Sequence, residues 1–460
     1  MNQERPSGKT FLEAAKEVKI FTEADVVVVG GGPGGHSAAI AAARNGAKTV
    51  LLERYGHLGG MATGGIVIQI PHMSDGTEEQ QIAGLCQEWI DRLEVIDGVL
   101  VPKRQNIGSD DKNLVSYWRR FMGNVRSGRI EYTAWVDPEL LKCVLNDMVG
   151  SAGVKLLLHS WGTRAVVEDN LVKGVFFESK SGRQAILAKV IIDGTGDGDL
   201  LPSAGAAFDG ALDPKIRSSN LALVFRLGNC DYQKLCDFRE ANPEKYYALI
   251  NEMARVAGTR LLPLPSPRND VLWVNNWIPD LNCLDVEDLT KLEVDMRKMM
   301  LKGHVFMKKH IPTFENSFIL DTASQTGTRG SRRLIGEYIF TKADLDAHLK
   351  HKDAIAVFPR FGPPGGTDTE KTHIQLPYRC LVPVKTENLL VAGRSFSSDM
   401  IVNNMVNLIP HCIAMGEAAG TAAALAIKHD ISLRKVNIGE LQKRLIQQGV
   451  LLPGITLASP

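Results

Sequence analysis

Gly30, Gly32 and Gly35 spell G-x-G-x-x-G, and Glu53 follows at the distance where a dinucleotide-binding unit places an acid. The chemistry of such a set is recognition of a pyrophosphate and a ribose. The glycines serve a sharp turn, close approach of backbone to phosphate and close packing of a helix on a strand, and the carboxylate accepts hydrogen bonds from ribose hydroxyls. Three elements must position them. Residues 26–29, VVVV, are apolar on both faces, as in a strand inside a parallel sheet. The alanine-rich run 37–45 predicts a helix whose free N–H groups and partial positive charge meet the pyrophosphate. Residues 49–52 predict a second strand that delivers Glu53.

Other glycine-rich turns repeat the pattern. Gly59, Gly60, Gly64 and Gly65 let backbone approach a flat, bulky group. Residues 190–199, VIIDGTGDGD, form a buried strand and a turn that returns the chain beside the first motif. Residues 388–393, NLLVAG, predict the last strand, and 394–407 lead into a helix over 410–429 whose Gly416, Gly420 and many alanines suit very close packing. Between these lie a helix over 137–151, capped by Asp137 with Pro138 at its first position, a strand over 154–158, and strands over 163–168, 171–179 and 183–187 forming an antiparallel layer.

The fold class this predicts is α/β: a Rossmann-type domain, parallel sheet with antiparallel layer, built from 22–65, 135–208 and 385–430 and interleaved with a second α+β substrate or cap domain over 209–384. Residues 66–134, with a helix over 80–95, read as an insertion that leaves the nucleotide domain. Within 209–384 we expect an amphipathic helix over 285–307, a loop over 358–366 and a strand over 374–384. Residues 11–18 read as a packing arm, and 431–460 as a tail with a helix over 438–448.

Composition excludes several classes. The 460 residues carry a formal net charge of +1 with mixed signs, which argues against nucleic acid and anionic membranes as partners and for a small molecule. No run reaches the ~18 apolar residues of a membrane span. The N-terminal residues lack the apolar core of a signal peptide, so a cytoplasmic location is expected. Seven cysteines show no C-x-x-C and no metal-ligand spacing, so no metal site is expected, and the nearest pair, Cys230 and Cys236, reads as structural thiols.

Taken in order, residues 25–65, 137–205, 327–341 and 377–425 resemble the FAD-dependent oxidoreductase family of the glutathione-reductase-like superfamily, related to fumarate reductase flavoproteins and thiazole synthases. Flavin disulfide reductases carry a redox cysteine pair after the equivalent of Gly60, whereas Met61, Ala62 and Thr63 stand here, which excludes dithiol chemistry at the flavin. The resemblance implies FAD rather than NAD. By position, Glu53 holds ribose, Arg54 lies near the adenine, and Val166 meets the adenine through its backbone. Gly60, Met61 and Ala62 approach the isoalloxazine, and Gly194, Gly196 and Asp197 form the adenosine-side return loop. Gly393 and Arg394 meet the pyrophosphate, and Asn407, Leu408 and Ile409 present backbone N–H groups to the flavin N1–C2=O edge, where reduction gathers negative charge. His57 does not have the spacing of the fumarate-type attachment site, so the flavin is expected to be non-covalent. No second strand-G-x-G-x-x-G-helix unit appears, so no dedicated NAD(P)H domain is expected. Electrons then come from the substrate, or go to oxygen, a quinone or a redox protein.

Catalytic candidates follow. Arg329, Arg332 and Arg333 stand within five residues, and Arg332 is a candidate anchor for an anionic substrate group, while Arg333 reads as paired with Glu337 one turn on a surface helix. His373, Tyr378 and Arg379 are candidates to give or take a proton as hydride moves to or from N5. Asn403, Asn404 and His411 flank the flavin-edge loop, and a helix start would keep the His411 imidazole neutral. The leading expectation is hydride transfer between a small organic molecule and flavin. A tRNA-modifying flavoprotein, a non-catalytic FAD-binding subunit and a homo-oligomer are the other readings.

Overall fold

The computed structural model describes residues 10–213, 215–216, 220–359 and 373–455. Its organising element is a seven-stranded sheet. β1 (Lys19–Val29) leads through α1 (Pro33–Arg44) to β2 (Thr49–Leu52). After α2 (Leu85–Glu94) and α3 (Pro138–Ser151) come β3 (Lys155–Leu157), β4 (Trp161–Glu168), β5 (Leu171–Ser179) and β6 (Gly182–Asp193). The spatial order is β3-β2-β1-β6-β5-β4. β1 pairs in parallel with β2 and β6, and β2 with β3, whereas β4, β5 and β6 are antiparallel neighbours.

A second, four-stranded sheet forms in the segment that follows. It comprises β7 (Phe225–Gly228), β8 (Leu262–Leu264), β9 (Val271–Asn275) and, after the long α4 (Val286–His310), β10 (Phe318–Thr322), in the order β8-β9-β7-β10. A hairpin of β11 (Ala354–Pro359) and β12 (His373–Pro377) returns the chain to the first domain. There β13 (Leu389–Val391) pairs in parallel with the end of β6. α5 (Met400–Val406), α6 (Ile409–His429) and α7 (Ile438–Gln447) finish the chain.

Side-chain size decides how the helices lie. α6 presses on α1 so closely that a Cβ on Gly416 would stand 2.0 Å from the Gly34 carbonyl oxygen, and one on Gly420 would stand 2.1 Å from that of Ala38. Only glycine fits there, and the flanking alanines keep the rest of the seam thin. α3 begins where expected because the Asp137 carboxylate accepts from the N–H groups of Glu139 at 2.9 Å and Leu140 at 3.1 Å.

The structure corrects several expectations. β1 starts at Lys19 instead of residue 26, because its polar first half pairs along β6. The strands expected at 183–187 and 190–193 are one: β6 offers one edge to β1 throughout and the other first to β5, then to β13. Residues 11–18 are not a packing arm; Phe11 and Leu12 are fully exposed. The strand expected to reach residue 384 ends at Pro377 and passes into a 3-10 turn, Tyr378–Leu381. α2 is shorter than 80–95, and α4 runs past residue 307 to His310. The 394–407 stretch contains α5. Of the loop expected over 358–366, residues 358–359 close β11 and residues 360–366 lie outside the described residues. In the 66–134 segment the Trp89 indole of α2 donates to the buried His36 of α1 at 3.2 Å. Among the described residues no single helix is long and apolar enough to cross a membrane.

Candidate functional site

Four turns converge at the C-terminal ends of β1, β6 and β13. Gly30 has φ +92°, open to glycine, and a Cβ there would lie 2.7 Å from the Gly194 carbonyl oxygen. A Cβ on Gly35 would meet the Gly30 carbonyl oxygen at 1.7 Å, so this glycine sets the approach of α1 to β1. Gly60 and Gly393 arrive on either side, and the turns enclose a cavity of about 650 Å³ that extends to Gln325, Thr326 and Thr328 of the cap. That volume lies within the ~300–1,000 Å³ of small-molecule sites.

The walls carry an ordered set of charges. Arg394 donates from Nη2 to Asp197 Oδ1 at 2.6 Å, and the Ser331 hydroxyl donates to the same oxygen at 2.6 Å. Burial alone would raise the Asp197 pKa; the Arg394 guanidinium and the Ser331 hydroxyl outweigh it and hold the carboxyl below its usual range. Asp199 has the opposite balance. Burial, then Asp197 and Asp193 nearby, push it up to about 6, against the weaker pull of Arg54 and of Arg332, whose Nη1 is 3.3 Å away. Glu53 is nearly buried and uses both oxygens on backbone, Oε2 accepting from Gly31 N–H at 2.6 Å and Oε1 from Tyr55 N–H at 2.8 Å. Burial raises its pKa against those bonds. It therefore fixes the glycine turn as well as facing a narrow extension of the cavity.

Three buried polar atoms on lining residues find no hydrogen-bond partner among the described residues: Arg394 Nε, Gln325 Oε1 and Asn407 Oδ1. One is a cationic donor and two are amide acceptors. A dinucleotide bearing phosphate oxygens and a ring with an N–H supplies partners for both kinds, so these walls fit FAD.

Most residues expected to meet the cofactor do line this cavity: Gly32, Arg54, Gly60, Met61, Gly194, Gly196, Asp197, Gly393, Arg394 and Ile409, with Gly30 and Glu53 on its narrow extension. Gly35 acts in packing, Ala62 is buried beneath, and Leu408 is the N-cap residue of α6. Val166 is paired with Gly174 and does not line the cavity; Trp161, Gly162 and Thr163, earlier on β4, do. His57 stays outside, 3.3 Å from the Ser324 hydroxyl.

The catalytic candidates separate. Arg332 reaches the cavity, donating also to the Asp197 carbonyl at 3.2 Å. Arg333 is not on a surface helix: it is 2 % exposed and bonds Asp209 at 2.6 Å, while Glu337 pairs with Arg434 at 2.9 Å. Tyr378 is buried and donates to the Leu433 carbonyl at 3.0 Å. Arg379 forks onto Asp353 at 2.9 and 3.2 Å. Neither lines the cavity. His373 sits 3.1 Å from Asp75, in the 66–134 segment. Asn403 donates to the Arg394 carbonyl at 2.7 Å, and Asn407 to that of Arg329 at 2.7 Å, so both shape the loop. His411 is fully buried with its ring 4.3 Å from Phe358. Burial, then the charges of His72 and Arg329, lower its pKa to about 3, so the imidazole is neutral. Missed by sequence reading are Gln325 and the contact of His72 with Glu131, with His72 held at φ +59°. Nothing local marks them, since each depends on which loops the fold brings together.

A dinucleotide cradle on a mixed sheet, closed by a cap and lined by glycine turns, defines an FAD-binding α/β enzyme. The family described as FAD dependent oxidoreductase matches residues 25–445, and the chain belongs to it. A 41-residue stretch is 63 % identical to dihydrolipoyl dehydrogenase of Trypanosoma brucei brucei, which is 9 % of the length of either chain. A geranylgeranyl bacteriochlorophyll reductase-like protein from Thermoplasma acidophilum aligns over 93 % of this chain and 84 % of its own at 14 % identity and TM-score 0.46. p-Nitrophenol 4-monooxygenase PnpA from Pseudomonas putida aligns over 90 % and 82 % at 13 % identity and TM-score 0.45. The protein is thus an FAD-dependent enzyme.

Proposed function

We propose that this protein transfers hydride between a small organic substrate and flavin N5 without a nicotinamide-binding domain of its own. The observation that carries the reading is the reach of one cavity: it runs from the dinucleotide cradle to Gln325, Thr326 and Thr328, which would let substrate and cofactor meet in one space. FAD, when bound, supplies a two-electron acceptor or donor at its ring. Arg394, whose Nε finds no hydrogen-bond partner among the described residues, would hold the pyrophosphate, and Asp197 keeps that guanidinium in place. Met61 and Gly60 would contact the flavin ring, and the N-terminus of α6, which starts at Ile409 after the N-cap Leu408, would offer a partial positive charge to the ring's polar edge.

On the substrate side, Arg332 stands on the wall of the same cavity as Gln325, Thr326 and Thr328, which fits a substrate with an anionic group. The test is anaerobic mixing of the flavin-loaded protein with a panel of small carboxylates, alcohols and amines. Bleaching of the flavin band by a member of the panel is expected. A flavin that photoreduces normally yet exchanges electrons with no panel member and no acceptor would overturn the reading in favour of a non-catalytic FAD-binding subunit.

A further inference from the structure

His36 lies in the first turn of α1, fully buried and not on the cavity wall, behind the glycine turn that faces the phosphates. Its ring is held from both ends. Nδ1 lies 2.7 Å from the Gly32 carbonyl oxygen. The Trp89 indole Nε1 of α2 lies 3.2 Å from Nε2, and the Ser37 hydroxyl lies 3.2 Å from the same nitrogen.

The chemistry of these partners places the ring hydrogen. An indole N–H only donates, so Nε2 must offer a lone pair; a carbonyl oxygen only accepts, so Nδ1 must carry the hydrogen. The Ser37 hydroxyl can donate and agrees with that assignment. Burial, against the opposing pull of the Gly32 and Gly31 carbonyls, lowers the His36 pKa to about 4, so the ring is neutral and has one hydrogen to place. Two neighbours of opposite kind thus select one tautomer, and Trp89, one of them, is 53 residues away in the chain.

Gly32 is the N-cap residue of α1 and lines the cavity. Pro33 follows it and has no N–H, so the peptide between them offers a phosphate no donor to offset its own oxygen. That oxygen accepts twice from His36, from the backbone N–H at 3.0 Å and from Nδ1. Both bonds draw it toward the helix, which leaves the positive end of α1 to the cavity.

We propose that His36 is a positioning residue for the cofactor: in the Nδ1–H tautomer that Trp89 enforces, its ring pins the Gly32 carbonyl toward α1 and away from the phosphates that the turn receives. The proposal rests on FAD occupying this turn and not on the hydride chemistry above.

The test has two arms. In the apoprotein labelled with isotopic histidine nitrogen, NMR of the imidazoles should show His36 with its hydrogen on Nδ1 and a bare Nε2, the signal being assigned by its loss in His36→Asn. The second arm measures FAD affinity by quenching of flavin fluorescence. His36→Asn puts an amide N–H where Nδ1 stands, and Asn45 Nδ2 makes the same bond to the Ala41 carbonyl at 2.8 Å at the other end of this helix. It should bind FAD within about threefold of wild type. His36→Gln is closer in size but carries its amide near the position of Nε2, where it serves Trp89 and not Gly32. It should bind about tenfold more weakly, as should His36→Leu. A role in packing alone would rank glutamine above asparagine. A hydrogen on Nε2, tight binding by His36→Leu, or tighter binding by His36→Gln than by His36→Asn would each overturn the proposal. If a variant loses its fold, the wild-type tautomer still decides. A wild-type chain that takes up no FAD would overturn the cofactor reading and this proposal with it.

Discussion

Asp199 is the residue whose chemistry is least like that of its type. Its carboxyl, pushed up to about 6, faces the space that takes an anionic cofactor. A neutral Asp199 tolerates the pyrophosphate, and an ionised one repels it. FAD binding should therefore take up a proton and weaken as pH rises through about 6. The dissociation constant, followed by quenching of flavin fluorescence from pH 5 to pH 8, should rise several-fold for the wild type and stay flat for Asp199→Asn. Glu417 gives a second test, away from the site. It is buried in α6, accepts from the Leu85 N–H at 2.9 Å, and burial pushes it up to about 8. In the unfolded chain it ionises near its ordinary value, so between that value and about 8 the native state holds the extra proton. Stability from this group is present at low pH and lost as pH rises through about 8. Thermal denaturation should show the midpoint falling over that window in the wild type and less so in Glu417→Gln. At this scale the sequence was informative where a residue's role is carried by backbone, as in Gly30, Gly35 and Gly393. It put Asp199 on the return turn but was silent on its charge and on Gln325, whose meaning comes from neighbours remote in the chain.

At the scale of elements, the α1 to α6 contact holds the cradle together. Gly420→Ala places a methyl 2.1 Å from a carbonyl oxygen that cannot move without separating the helices. The expected cost is at least the ~1–3 kcal/mol of ordinary overpacking, with weaker FAD binding because α1 shifts at its phosphate-facing end. Thermal melts and FAD titration check both parts. Asp137→Ala removes the α3 cap and should cost about 1 kcal/mol in denaturant melts without changing FAD affinity, since Asp137 does not line the cavity. Helices with caps and small-residue seams were legible because their signals are local. The first half of β1 was not, because KIFTEAD has no apolar run and becomes strand only through pairing with β6. Arg333 was misjudged for a related reason: the i, i+4 partner exists in sequence, but tertiary packing gives Arg333 to Asp209 and Glu337 to Arg434.

The whole molecule is a cofactor cradle distributed over turns far apart in the chain, from Gly30 to Asn407. Such a site forms only when the fold does, so ligand and stability are linked: FAD at 100 times its dissociation constant should add about 2.7 kcal/mol. The architecture was largely readable because each turn repeats the same glycine chemistry at a strand end. The far end of the cavity was not, because it brings Gln325, Thr326 and Thr328 against turns distant in the chain. The most direct measurement for the account is equilibrium binding of FAD to the apoprotein, comparing wild type with Arg394→Met. The account predicts flavin that binds the wild type tightly and is released intact by acid precipitation, and an affinity at least tenfold weaker in the variant with its fold retained. Equal affinity in the two proteins, or a wild-type chain that takes up no FAD, would contradict it.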